Sequence, residues 1–172
     1  RALTDPTRPE ARRRAAGLAS PLRSFRATLR LVRRCSAIQI CPMPPSAIRA
    51  KGDMYTDTKG MQPLTAPRAL RRDEIPQVVR EFARATELAY DAGFDGVEAH
   101  GTSGYLLAQF LSTGTNRRED EYGGPVGNRV RFPVEVIRAM AAVDGADRVG
   151  FRICPGNPFN DLTDENPEET FR

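Results

Sequence analysis

The chain has 172 residues and 40% hydrophobic side chains, enough for one domain with a real core, and no apolar run is long enough to span a bilayer. Its three cysteines, Cys35, Cys41 and Cys154, are scattered, and one histidine cannot complete a zinc set with them, so metal and disulfide scaffolds are excluded and a reducing compartment is expected. The net charge of +4 is unevenly spread: residues 1–50 carry eleven arginines against Asp5 and Glu10, and the remainder is net acidic.

Residues 1–44 are rich in Arg, Ala, Ser and Pro, with Arg12-Arg13-Arg14 and Arg33-Arg34 as examples. A basic leader, disordered or weakly helical through Leu22, Phe25, Leu29 and Val32, is the first reading. An organelle transit segment and an RNA-binding arm are the alternatives; the lack of aromatics interleaved among the arginines weighs against nucleic acid. The expected location is cytoplasmic, or an organelle if the leader is a transit segment. The body is residues 45–172.

Residues 45–72 read as a polar loop punctuated by Gly52, Gly60, Pro63 and Pro67. Asp73 then suits an N-cap, with Pro76 in the first turn. Ile75, Val78, Val79, Phe82, Ala85, Leu88 and Ala89 recur at helical spacing, which predicts an amphipathic helix ending near Gly93. Residues 94–99 make a short strand, and residues 116–127 a polar loop. Asn128 is placed to cap a second helix carrying Phe132, Val136, Ile137 and Met140, and residues 147–153 form a second strand. Helix, strand, long loop, helix, strand is the repeat of an α/β fold with parallel strands, and a long loop after the strand is what a (β/α) barrel shows on its functional face.

At the end of the first strand stands His100, the single histidine, followed by Gly101-Thr102-Ser103-Gly104-Tyr105. An imidazole and a phenol five residues apart suit chemistry in which one group holds a substrate oxygen and the other delivers a proton. Plainer roles exist for each: packing for His100, a core ring with a surface hydroxyl for Tyr105, and an ion pair with a carboxylate for Arg152 on the second strand.

The run Ala92-Gly93-Phe94-Asp95-Gly96-Val97-Glu98-Ala99-His100-Gly101, then Gly104-Tyr105-Leu106-Leu107, Gln109-Phe110-Leu111-Ser112, Asn116-Arg117-Arg118, Asp120-Glu121-Tyr122-Gly123-Gly124, Asn128-Arg129 and Arg131-Phe132 resembles the old yellow enzyme family. Pro45-Ser46-Ala47-Ile48, Arg152 and Phe159-Asn160-Asp161 fit as well. These are FMN-dependent ene reductases, the 12-oxophytodienoate reductases among them. The resemblance implies a TIM barrel with FMN at its mouth. NADPH or NADH is the implied reductant, and an α,β-unsaturated carbonyl, an enone, the implied substrate. It gives Tyr105 the role of proton donor, His100 that of carbonyl ligand, and Arg152 a place beside the flavin's N1 edge, where a permanent cation is suitable. Ser103 stands where the family has Asn or a second His, and its shorter hydroxyl is expected to clamp the carbonyl less firmly. The early strands and the phosphate-binding segments of the family are not evident. The expected architecture is therefore a partial (β/α)8 barrel truncated at both ends, with a non-catalytic remnant unable to hold FMN as the alternative function. Neither metal, membrane nor nucleic acid is expected as a partner.

Overall fold

In the computed structural model, residues 26–29 and 43–172 are described, the first four as backbone. Strand β1 (Arg26–Leu29) precedes a hairpin of β2 (Asp53–Thr56) and β3 (Gly60–Pro63). A 3-10 turn (Arg72–Glu74) leads into helix α1 (Ile75–Asp91), then β4 (Gly96–Gly101) and the short α2 (Leu106–Leu111). Helices α3 (Val126–Arg129) and α4 (Arg131–Asp144) lead through a second 3-10 turn to β5 (Val149–Ile153). A third such turn (Phe159–Asp161) and α5 (Pro167–Thr170) follow.

The β1, β4 and β5 strands form one parallel sheet in the order β1-β4-β5, with Ala27 opposite Val97 and His100 opposite Arg152. Parallel neighbours require crossover connections, and α1 and α4 lie on the face those crossovers cover. The described strands form an open sheet rather than a closed barrel.

The core lies between that face and the helices. Val97 and Ala99 of β4 meet Ile75, Val78 and Phe82 of α1 and Phe132, Val136 and Met140 of α4 in one buried cluster. Phe110 of α2 stacks on Phe132 with ring centroids 4.2 Å apart and meets Tyr122 edge-on at 6.5 Å. Burying these rings is worth several kcal/mol against water. Thr86 is fully buried in α1, and its hydroxyl donates to the Phe82 carbonyl at 3.0 Å, so it is satisfied without leaving the helix. At the far end of α1, Arg148 lies 4.1 Å over the Tyr90 ring and donates to the Phe94 and Asp95 carbonyls, joining the starts of β4 and β5.

Several expectations are corrected. The residues of β1 fall inside the segment read as a leader; for them, pairing with β4 overrides a composition that predicts no strand, while residues 1–25 and 30–42 lie outside the described residues. The loop over residues 45–72 contains the β2–β3 hairpin, whose turn uses Gly60 at φ 65° and the Thr56 hydroxyl, which accepts from the Lys59 N–H and donates to the Gly60 carbonyl. Asp73 does not cap α1: Glu74 takes the reciprocal position, its carboxylate accepting the Arg71 N–H at 2.8 Å. Leu88 is half exposed, and Thr86 and Tyr90 fill the inner face instead. Asn128 lies within α3, so it does not start α4.

Candidate active site

Burial along β4 alternates strictly. Val97, Ala99 and Gly101 face the helices, and Glu98 and His100 face the other way. Because β5 is parallel and in register, Arg152 opposite His100 projects to the same side as the imidazole. Its Nε donates to Glu98 Oε1 at 2.7 Å. The Glu98 side chain is 12% exposed and the Arg152 side chain 58%, so a sheltered carboxylate holds an accessible guanidinium. The ion pair that was the plainer expectation for Arg152 is therefore real, and it keeps the cation on the His100 face.

The last residue of the strand is glycine for a steric reason: a Cβ at Gly101 would lie 2.3 Å from the Phe151 ring. The chain then reverses over Thr102 to Tyr105, with the Tyr105 N–H donating to the Thr102 carbonyl at 3.1 Å. Both central residues have positive φ, 57° at Ser103 and 74° at Gly104, the signature of a type I′ turn. Tyr105 immediately precedes α2, and the turn brings its ring to 5.0 Å from that of His100, tilted by 57°.

The hydroxyls in the turn are engaged with one another. Thr102 Oγ1 is 2.9 Å from Ser103 Oγ and 3.4 Å from His100 Nε2. The Ser103 hydroxyl thus joins the imidazole through Thr102, and its backbone carbonyl accepts from Asn160 Nδ2 at 2.7 Å. Thr102, Glu98 and Asn160 were not singled out in the sequence as site residues. Glu98 was discoverable, since it shares the strand period of His100; Thr102 and Asn160 owe their places to the turn.

The loop after α2 is braced independently of this face. Asn116, buried, donates from Nδ2 to the Phe110 and Tyr122 carbonyls at 2.7 and 2.8 Å. Arg118 pairs with Asp120, and that hydrogen bond holds the Asp120 carboxyl below its ordinary range. Burial pushes the Tyr122 phenol up, with Glu135 beside it acting in the same sense. On the helix side of Gly101 a cavity of about 300 Å³ is lined by Leu111, Cys154, Leu162, Asp164 and Phe171 among others; it does not include His100, Tyr105 or Arg152. Among the described residues, no cluster of His, Cys, Asp and Glu is placed to hold a metal ion, and no helix is long and apolar enough to cross a membrane.

A cation and an imidazole on one side of parallel strand ends, with a phenol beside the imidazole, have the donor chemistry that a flavin's carbonyl and ring-nitrogen acceptors require. Residues 27–170 match the NADH:flavin oxidoreductase / NADH oxidase family. The chain belongs to that family. The match takes in all but the first residue of β1. Among relatives, a putative 12-oxophytodienoate reductase 2 of Oryza sativa subsp. japonica is 46% identical over 136 residues, which is 79% of this chain and 36% of the relative. A probable flavin mononucleotide-dependent alkene reductase of Leishmania infantum is 50% identical over 132 residues, 74% of this chain and 36% of the relative. Among solved structures, morphinone reductase in complex with tetrahydroNAD superposes with a TM-score of 0.70 at 45% identity, covering 74% of this chain and 37% of that one. The old yellow enzyme homologue from Zymomonas mobilis gives 0.73 at 40% identity, covering 78% and 37%. The resemblance read from the motifs is thereby established, and the chain spans about a third of the length of the family members it matches.

Proposed function

We propose that this chain carries the substrate-facing part of an FMN-dependent ene reductase site that acts on α,β-unsaturated carbonyls. The observation that carries the reading is the His100–Tyr105 ring contact at 5.0 Å with Arg152 in register on the same side. FMN, when bound and reduced by NADPH or NADH, would supply a hydride to the substrate β-carbon. His100 holds the substrate carbonyl oxygen, drawing electron density from the double bond. The Thr102–Ser103 hydroxyl pair fixes the imidazole from its Nε2 side. Tyr105 gives the proton at its Oη to the α-carbon as negative charge accumulates there. Arg152, steadied by Glu98, would hold the flavin's N1 edge with its permanent positive charge.

The test is a titration of the purified chain with FMN, followed by anaerobic addition of NADPH and then of an enone. The expected result is a retained yellow chromophore, bleached by NADPH and restored by enone. Tyr105→Phe is expected to slow restoration by about 10²–10⁴-fold while leaving bleaching unchanged. A colourless chain that retains no FMN would overturn the reading and favour a non-catalytic member of the family.

A further inference from the structure

We infer that Asn160 is a positioning residue of this site, its amide clamping the turn that sets the angle between the His100 and Tyr105 rings. The inference deepens the reading above and rests on it for the chemical meaning of those two rings. The bond from Asn160 Nδ2 to the Ser103 carbonyl is 2.7 Å long and spans 57 residues of sequence. That carbonyl belongs to the central peptide of the turn, between the two left-handed residues. A central peptide is the weak point of a tight turn, because rotating it as a unit converts one turn type into another. The Asn160 amide holds that peptide in its type I′ orientation.

Asn160 also holds the turn from beneath. A Cβ built on Gly104 would lie 2.4 Å from the Asn160 Cβ, so glycine there lets the turn rest directly on the asparagine. Asn160 itself is left-handed, with φ 57° and ψ 42°. Asp161 follows at φ 61°, and its carboxylate accepts the Lys51 N–H at 2.8 Å. Two successive non-glycine residues in this region carry strain that persists only where neighbouring contacts hold it. Asparagine combines tolerance of this backbone with a side-chain donor of the right reach. The loop after β5 thus fixes the catalytic corner after β4.

The single histidine makes the test direct, since the His100 ring protons give isolated NMR signals in the chain with or without flavin. The nearby Tyr105 ring displaces those signals, and Tyr105→Leu defines their position without it. Asn160→Asp keeps the outline and backbone tolerance but has no hydrogen to donate, and the expected result is movement of the His100 signals toward the Tyr105→Leu position. Asn160→Gly removes the amide while relieving backbone strain; it is expected to do the same and decides the matter if Asn160→Asp does not fold. His100 signals in Asn160→Gly that superimpose on the parent's would overturn the clamp alone. Failure of the parent chain to bind FMN overturns the functional reading alone.

Discussion

The decisive residues of this site are two whose side chains do no chemistry in the proposed cycle: Ser103 and Gly104, which bend the chain so that an imidazole and a phenol meet. Ser103 occupies a left-handed position at φ 57° that Asn or Gly fills more readily. Ser103→Asn is therefore expected to raise the unfolding midpoint, recovering part of the roughly 1–2 kcal/mol that a left-handed L-residue costs. Gly104→Ala is expected to do the reverse, by about 1–3 kcal/mol, because it adds a Cβ at positive φ directly against Asn160. Urea unfolding of the two variants beside the parent checks both signs. At this scale His100, Tyr105 and Arg152 were legible in the sequence, because their neighbours form a continuous motif. Ser103 matches a position expected to clamp the substrate carbonyl, and its hydroxyl lies 2.9 Å from that of Thr102. Neither that contact nor the reach of Asn160 can be read from a string of letters, since both depend on backbone angles that serine seldom adopts.

Among the elements, α1 shows how local sequence and electrostatics combine. Its apolar spacing announced it, and Pro76 sits in its first turn as expected. The 3-10 turn that leads into it is fixed by Glu74, whose carboxylate accepts from Arg68 and from the Arg71 backbone, lowering its pKa to about 2 from the ordinary 4.5. A carboxyl depressed in the folded state stabilises it above about pH 4.5, and that contribution is lost as pH falls toward about 2. Glu74→Gln is expected to flatten the acid limb of helicity measured by circular dichroism across that window. Because these side chains are exposed, added salt should shrink the difference. The elements that escaped sequence reading did so for physical reasons. Helix α2 has six residues, five of them buried, so it shows no polar stripe. The β2–β3 hairpin leaves Tyr55 and Met61 exposed as cross-strand partners, so side-chain polarity does not follow the alternating exposure of its strands.

Across the whole molecule, Arg129 gathers segments distant in sequence. Only 3% exposed, it donates from Nε to the Leu111 carbonyl, from Nη1 to the Gly124 carbonyl, and from Nη2 to Asp164 and Thr170. A guanidinium spreads five donors over three nitrogens in a planar fork that reaches these partners together; an ammonium has three donors on one atom and cannot span them. Arg129→Lys is expected to cost on the order of 3 kcal/mol, since it strands a nearly buried Asp164. Limited proteolysis would reveal it as faster cutting in residues 154–172. The α/β order and the parallel strands were legible at this scale. The pairing of β1 was not, because a four-residue strand draws its stability from the ladder beside it rather than from its own composition.

The two-residue rhythm of β4 has a practical corollary for redesign. Odd positions, Val97, Ala99 and Gly101, answer to packing; even positions, Glu98 and His100, answer to whatever occupies the opposite side. Substitutions in the even set change the chemistry of the site while sparing the packed face, whereas those in the odd set strike the packing on which the fold depends.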